Sequence, residues 1–127
     1  MKTILVVDDE LDIVDVLSDL LTAEGYRVIT ASNGREGLTR IAESRPDLVL
    51  LDRMMPVVDG AEMLRLMRED ASLGGIPVVM MSAAEGRRLS QELGCAAFLK
   101  KPFDLGTLLD TVARLAGRGD REEVARS

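Results

Sequence analysis

The stretch from Leu48 to Gly60, LVLLDRMMPVVDG, indicates the fold of this chain. It starts with four consecutive apolar residues, continues with the acidic Asp52, and ends in a loop that contains a proline and a glycine. Two other continuous apolar runs, Ile4 to Val7 and Val78 to Met81, lie before and after it. Strands that helices cover on both faces have such continuous runs, whereas half-exposed strands alternate. The three runs therefore predict buried strands of a parallel sheet.

Two weaker apolar runs, Arg27 to Ala31 and Ala96 to Lys100, predict two further and more exposed strands. Between the strands, apolar residues recur at the spacing of one helix face. Gly25, Pro46, the turn at Gly74 and Gly75, and Gly94 are expected to end the first four helices, and Asp104 to cap the fifth. The predicted apolar faces contain Ile13, Val14, Leu17, Leu20 and Leu21; Leu38, Ile41 and Ala42; Met63, Leu64, Leu66 and Met67; Leu89 and Leu93; and Leu105, Leu108, Leu109, Val112 and Leu115.

The alternation of strands and helices predicts an α/β fold with a parallel sheet. A chain of 127 residues is about the size of one domain. Residues 118–127 have almost no apolar content, so we expect a single domain over residues 1–117 and a polar tail or the start of a linker over residues 118–127.

The composition excludes several kinds of chemistry. The chain has no histidine, no tryptophan and one cysteine, which excludes Ser-His-Asp catalysis, histidine or CxxC metal sites, and an internal disulfide. Its formal net charge of −6 makes duplex nucleic acid an unfavourable direct ligand, since such binding depends on neutralising phosphates with Lys and Arg.

The first apolar run is too short for a signal peptide or a membrane span. It has four strongly apolar residues before the acidic triplet Asp8, Asp9 and Glu10. We therefore expect a cytoplasmic protein without membrane association.

Acidic residues follow two of the buried strands. If the first and third runs are neighbouring parallel strands, Asp8 and Asp9 end one of them and Asp52 ends the other. Ligands of open α/β sheets bind at the carboxyl ends of the strands, so these carboxylates would meet in one crevice. Oxygen ligands without histidine or thiolate suit a hard cation, and Mg²⁺ is commonly held by one or two carboxylates together with a phosphate. The alternative is structural, with Asp8 and Asp9 capping the first helix and Asp52 acting as a turn residue.

Two further polar residues fall at the same edge of the predicted sheet. Ser82 ends the fourth run and Lys101 follows the fifth, which adds a hydroxyl and an ammonium group to the acids. Only three of the 16 basic residues are lysine, and two of these stand side by side before Pro102. A lysine can bind phosphate as a flexible point charge, although a solvated lysine at a strand end is the simpler alternative.

Taken together, these motifs resemble those of response-regulator receiver domains of bacterial two-component signalling. The first motif is Val7-Asp8-Asp9-Glu10 after the first strand, and Leu51 to Gly60 is similar to the family pattern LDxxMPxxDG. The remaining two motifs are Met81-Ser82-Ala83 and Lys101-Pro102-Phe103. The resemblance extends from residue 2 to about residue 116. It implies a flavodoxin-like (βα)5 fold, a doubly wound five-stranded parallel sheet of order 2-1-3-4-5.

The resemblance also implies roles for individual residues. Asp52 would be the phosphoacceptor, and Lys101 and Ser82 would contact the phosphoryl oxygens. The Mg²⁺ ligands would be Asp9, Asp52 and the backbone carbonyl of Met54, with Asp8 acting largely through metal-bound water. Phe98 would turn inward when Ser82 moves, and a cis peptide would join Lys101 to Pro102.

The function implied by the resemblance is that of a signalling switch, which catalyses only its own phosphorylation and dephosphorylation. The phosphoryl donor would be a histidine kinase or a histidine phosphotransfer protein. The output would pass through the face formed by the fourth helix, fifth strand and fifth helix to a downstream protein or effector domain, and phosphorylation could drive dimerisation. The segment between Ser82 and Lys101 is a few residues shorter than is usual in the family, which affects this face. The alternatives are an unphosphorylated pseudo-receiver that acts as an interaction module, and a small-molecule phosphatase.

Overall fold

The structure is a computed structural model that describes residues 1–55 and 57–117. Five strands and five helices alternate along this part of the chain. The strands are β1 (Thr3–Val7), β2 (Arg27–Ala31), β3 (Leu48–Asp52), β4 (Val78–Ser82) and β5 (Ala97–Lys100). The helices are α1 (Leu11–Ala23), α2 (Gly34–Ser44), α3 (Gly60–Glu69), α4 (Arg87–Glu92) and α5 (Leu105–Ala116).

The strands form one parallel sheet in the order β2-β1-β3-β4-β5, which confirms the expected fold. The chain enters at β1, moves outward to β2, and then crosses back over β1 to β3. The order of the strands therefore reverses between β1 and β3, and the crevice beside such a reversal is where ligands bind in open α/β sheets. Asp8 and Asp52 stand at the carboxyl ends of these two central strands.

The sheet separates two apolar cores. On one face, β-strand side chains such as Ile4 and Leu50 pack with α1 and α5, which contribute Leu17 and Leu108. On the other face, the alternate side chains pack with α2 and α3, which contribute Ile41, Met63, Leu64 and Met67, and with Leu93 next to α4. Strands β1, β3 and β4 are buried on both faces, as the continuous apolar runs predict, while β2 is largely half-exposed.

Most of the predicted helix ends are confirmed, but α3 ends earlier than predicted. Gly25 and Gly94 have positive φ angles of 93° and 80° just after α1 and α4, and the Asp104 side chain caps α5 by accepting from the backbone N–H of Thr107. Helix α3 stops at Glu69, before the two glycines, because the Asp70 carboxylate accepts hydrogen bonds from both the backbone N–H and the hydroxyl of Ser72 and so begins a turn there.

One residue of the predicted apolar face of α5 lies outside the core. Leu105 is 42% exposed because it is the first residue of the helix, one turn before the helix meets the sheet at Leu108. The predicted tail, residues 118–127, lies outside the described residues.

Two hydrogen-bonding groups connect distant parts of the chain. The guanidinium group of Arg68, near the end of α3, donates to the carbonyls of Gly74, Ile76 and Gly94 at 3.2, 3.5 and 3.1 Å. These bonds hold the loop before β4 and the loop before β5 against α3. The hydroxyl of the buried Tyr26 donates to the carbonyl of Gly117 at 2.7 Å and fastens the end of α5 beside the start of β2.

Candidate functional site

Two carboxylates lie level with each other at the centre of the sheet edge. Val7 of β1 pairs with Leu51 of β3, so Asp8 and Asp52 occupy the next position on the two neighbouring strands. Both are buried, with exposed fractions of 0% and 4%. Buried carboxylates are costly unless a cation or hydrogen bonds compensate them.

Lys101 supplies the compensating charge from the end of β5. Its Nζ atom lies 2.8 Å from Oδ2 of Asp8, 3.3 Å from Oδ1 of Asp52 and 3.2 Å from Oε1 of Glu10. Only 10% of the Lys101 side chain is exposed. The peptide bond that joins Lys101 to Pro102 is cis, as expected. The structure thus brings together the predicted Asp8, Asp52 and Lys101 in one buried ion cluster.

The cluster changes the proton affinity of its members. The pKa of Asp52 rises from 3.8 to about 7, because burial and the nearby negative charge of Asp8 outweigh the opposite effect of Lys101. Burial alone would lower the pKa of Lys101, but the carboxylates of Asp8, Asp52 and Glu10 more than reverse this and raise it. Lys101 therefore stays charged, while Asp52 can take up a proton near neutral pH.

The three consecutive acids after β1 differ in their surroundings. Asp8 is buried and accepts a hydrogen bond from the backbone N–H of Glu10 at 2.9 Å. Asp9 is exposed, although its side chain is close enough to interact with the carboxyl group of Asp52. The N-cap of α1 is Glu10, without a side-chain capping bond, so the alternative that Asp8 and Asp9 cap this helix is wrong.

Carboxylate oxygens of Asp8, Glu10 and Asp52 all lie within 4.8 Å of one another. A set made only of carboxylate oxygens at this spacing fits a hard cation such as Mg²⁺. Glu10 was not among the predicted site residues, and its only sequence signal is its place directly after two acids at a strand end. Met54, the predicted carbonyl ligand, lies in the loop after Asp52 with its side chain exposed.

Ser82 is the last residue of β4 and pairs with Lys100, whereas Phe98 lies in β5 and pairs with Met80. Ser82 is fully buried, and its hydroxyl accepts a hydrogen bond from the backbone N–H of Ala84 at 3.1 Å. Phe98 is 8% exposed, and its ring packs in the core on the α3 side of the sheet. The guanidinium carbon of Arg87 lies 5.6 Å from the centre of this ring, and a Cβ atom at Gly86 would lie 3.3 Å from the ring edge.

The loop between β3 and α3 shows why its motif contains Asp59 and Gly60. The Asp59 side chain caps α3 by accepting from the backbone N–H of Glu62 at 2.9 Å. Gly60 packs so closely on the backbone of Asp52 that an added Cβ would collide with the Asp52 carbonyl oxygen. These two residues therefore position the loop behind Asp52. Val57, in the same loop, is 75% exposed and has a φ of 71°, which is unfavourable for a β-branched side chain.

An apolar groove of about 440 Å³ opens next to the ion cluster. It runs between α1 and the start of α5, and Glu10 and Lys101 form the wall nearest the cluster. Asp12 and Val16 of α1 and Leu105 of α5 line its remaining length. Glu10 and Lys101 therefore face this groove, whereas Asp8 and Asp52 do not line it.

Comparisons with known proteins identify relatives of this chain. The family model described as "Response regulator receiver domain" matches residues 4–113. The alkaline phosphatase synthesis transcriptional regulatory protein PhoP of Bacillus subtilis is 41% identical over 105 residues, 80% of this chain and 43% of PhoP. The polar-differentiation response regulator DivK of Brucella anthropi is 32% identical over 120 residues, 91% of this chain and 97% of DivK.

Among solved structures, the response regulator protein TrrA of Thermotoga maritima in complex with Mg²⁺–BeF has a TM-score of 0.81 at 34% sequence identity, covering 91% of this chain and 99% of that one. The chain spans about half the length of PhoP. None of the helices in the described part of the chain has the length and apolar character needed to cross a bilayer. Because the family model covers residues 4–113 of 127, the chain belongs to the response regulator receiver domain family of two-component systems.

Proposed function

We propose that this chain is a phosphorylatable receiver whose phosphoacceptor is Asp52. The observation that carries the proposal is the ammonium group of Lys101, 3.3 Å from Asp52 Oδ1 in a buried cluster. The donor is a histidine kinase or a histidine phosphotransfer protein. The chain catalyses only transfer to its own aspartate and the later hydrolysis, so it acts as a switch and not as an enzyme for a separate substrate.

The transfer needs an ionised Asp52. One carboxylate oxygen of Asp52 forms a bond to phosphorus while the bond from phosphorus to the nitrogen of the donor histidine breaks, and the electron pair of that bond returns to the nitrogen. Because the pKa of Asp52 is raised to about 7 in the cluster, this carboxylate is also a strong proton acceptor. Asp52 must therefore lose this proton before it can attack phosphorus.

Charge on the transferred group is stabilised by residues at the same sheet edge. Lys101 is held there as a cation, and it donates to a phosphoryl oxygen in the product. Ser82 ends β4 beside it, so that its hydroxyl donates to a second oxygen. Asp9, Asp52 and the Met54 carbonyl would hold Mg²⁺, with Asp8 acting through metal-bound water, and the ion would supply positive charge against the phosphoryl oxygens. The grouping of the carboxylate oxygens of Asp8, Glu10 and Asp52 supports the inclusion of Asp8 and Asp52 in this set.

The output passes through α4, β5 and α5. A phosphoryl group that engages Ser82 favours one position of the loop after β4, and the Phe98 ring packs against this loop at Gly86. PhoP is a transcriptional regulatory protein, but the net charge of −6 argues against direct contact of this chain with nucleic acid. We therefore assign the output to a downstream protein, an effector domain, or a dimer formed on phosphorylation.

The test is intact-mass measurement after incubation with acetyl phosphate, with and without Mg²⁺. We expect one Mg²⁺-dependent phosphoryl addition to the wild-type chain and none to Asp52→Asn. Asp59→Asn is the matched control, because Asp59 lies in the same loop and its side chain caps α3. It should still be phosphorylated.

The proposal is wrong if neither acetyl phosphate nor a panel of histidine kinases modifies the wild-type chain. That result would favour the interaction module without phosphorylation. Addition that persists in Asp52→Asn would instead place the acceptor at another residue.

A further inference from the structure

An open hollow of about 910 Å³, here called the α4 hollow, lies beside the helix to which the proposed function assigns part of the output. Three arginines line it: Arg53 from the loop after β3, and Arg87 and Arg88 from the start of α4. Two glutamates, Glu85 and Glu92, line it as well. The balance of these five charges decides what the α4 hollow can bind.

Both glutamates already have a cationic partner. Oε1 of Glu85 lies 2.7 Å from Nζ of Lys100, which comes from the end of β5. Oε1 of Glu92 lies 3.3 Å from Nε of Arg88, one turn away in the same helix. The hydrogen bond and the charge of Lys100 lower the pKa of the Glu85 carboxyl group, and the charge of Arg87 adds to this effect. The glutamates therefore leave the charges of the other two arginines uncancelled.

Arg53 and Arg87 retain hydrogen-bond donors for a partner. Within residues 1–55 and 57–117, neither forms an ion pair with a carboxylate. Nη1 of Arg53 donates to the carbonyl of Glu85 at 3.3 Å, and the guanidinium group of Arg87 lies over the Phe98 ring. A guanidinium group has five N–H donors, so most of them remain available. The net charge of −6 belongs to the whole chain, and charges more than about 8–10 Å away are largely screened at physiological salt, so these arginines can attract an anion.

We propose that the α4 hollow is the docking surface for an acidic segment of the downstream protein, whose carboxylates bind Arg53 and Arg87. The inference rests on the function proposed above and deepens it, because it gives the chemistry of the output partner. Arginine binds a carboxylate through two parallel N–H donors. The two arginines come from separate segments of the chain, the loop after β3 and the start of α4. This separation suits a peptide with several carboxylates better than a single small anion.

The loop from Ser82 to Gly86 connects the α4 hollow to the proposed phosphorylation site. Gly86 lines the hollow, and a Cβ atom there would lie 3.0 Å from Nη1 of Arg53 and 3.3 Å from the Phe98 ring. A phosphoryl group bound by Ser82 therefore acts on one end of this loop, and a carboxylate bound by Arg53 and Arg87 acts on the other. Binding at the two ends is coupled, and such coupling is reciprocal.

The probe is a fluorescein-labelled oligoglutamate peptide, and its binding is measured by fluorescence anisotropy at about 0.15 M salt. We expect Arg53→Gln and Arg87→Gln each to weaken binding about 1.5- to 5-fold, the range for an exposed charge pair. Arg35→Gln is the matched control, because Arg35 is exposed on α2 outside the hollow and its replacement removes the same charge. Its affinity should equal that of the wild type, and circular dichroism checks that all three variants are folded.

A second measurement locates the bound peptide and tests its link to phosphorylation. In proton-nitrogen NMR spectra, the peptide should shift the backbone amide signals of Arg53 and of α4 and leave those of α2 in place. Beryllofluoride with Mg²⁺, which mimics the phosphoryl group, should strengthen peptide binding to the wild type.

Four results would overturn the inference: no binding of the peptide to the wild type, an equal loss of affinity in Arg35→Gln, amide shifts centred outside the α4 hollow, or peptide binding that does not respond to beryllofluoride. A duplex oligonucleotide that binds through Arg53 and Arg87 while the peptide does not would also overturn it. Failure of the proposed function gives a different result. In that case the wild-type chain binds no beryllofluoride and is not phosphorylated by any donor, while the two arginine variants still show whether the hollow binds an acidic segment.

Discussion

Replacing Asp52 by asparagine should stabilise the protein at alkaline pH when Mg²⁺ is chelated. The carboxyl group has a pKa of about 7 in the folded chain and 3.8 as the ordinary value, so the folded state holds the proton more tightly than the unfolded state. Stability is therefore lost as pH rises between these two values, and the full cost is present above about pH 7. Asp52→Asn removes the ionisable group and with it this cost.

The size of the effect follows from the same two values. The interval from 3.8 to about 7 corresponds to at most about 4 kcal/mol, at about 1.4 kcal/mol for each pH unit. Part of this gain is lost because asparagine is a weaker acceptor for the Lys101 ammonium group than a carboxylate. We expect the free energy of unfolding to rise by about 1–3 kcal/mol at about pH 8, and by much less at about pH 5.

Because the chain has no tryptophan to report unfolding by fluorescence, this difference is measured by urea unfolding followed by far-ultraviolet circular dichroism. Asp12→Asn serves as the control, because Asp12 is exposed and its replacement should change stability by less than about 0.5 kcal/mol. Adding Mg²⁺ should reduce the advantage of Asp52→Asn, since the cation stabilises the carboxylate of the wild type. A variant that is no more stable than wild type at about pH 8, or a difference that does not vary with pH, would refute the electrostatic reasoning.

Further predictions concern the same sheet edge and its supports. The Mg²⁺ dissociation constant, measured by calorimetry, should rise about tenfold for each unit by which the pH is lowered once it is well below about 7. The reason is that a proton on Asp52 competes with the cation. Val57→Gly should raise the free energy of unfolding, measured by urea titration, by about 1 kcal/mol, because the φ of 71° at Val57 favours glycine. Val57→Ala should raise the free energy of unfolding by less. Gly60→Ala should lower it by more than about 2 kcal/mol and slow phosphorylation, because the new methyl group collides with the backbone of Asp52; normal rates would contradict this. Arg68→Met should lower it by about 1–2 kcal/mol through the loss of hydrogen bonds to three carbonyls, and an unchanged urea midpoint would show that water replaces them.

Much of the fold and part of the site could be predicted because the decisive residues occupy strand ends. Once Ile4 to Val7 and Leu48 to Leu51 are recognised as buried parallel strands, Asp8 and Asp52 must lie at one edge. Lys101 follows from the same argument applied to the last strand. Residue order along a strand is enough for these assignments, because all strands of the sheet point the same way.

The sequence was less informative where the position of a side chain depends on the backbone conformation of a turn. Whether Asp9 or Glu10 meets Lys101 is decided by the extended backbone of Glu10, φ −88° and ψ 103°, which no residue pattern specifies. The side of the sheet on which Phe98 lies was equally hidden, because its neighbour Leu99 is also apolar and is buried on the opposite face. The early end of α3 depends on the short-range competition of Asp70 for the backbone of Ser72.

Among the described residues, the two cores on opposite faces of the sheet share no side chains, and this division affects how the protein tolerates substitutions. Leu17 of α1 and Met67 of α3 belong to different cores and pack with different sets of strand residues. Substitutions without shared contacts usually have additive effects on the free energy of unfolding. Each core can therefore accumulate substitutions without requiring compensation in the other. The helices on one face can therefore change in sequence as partners change, while the side chains packed on the opposite face remain the same.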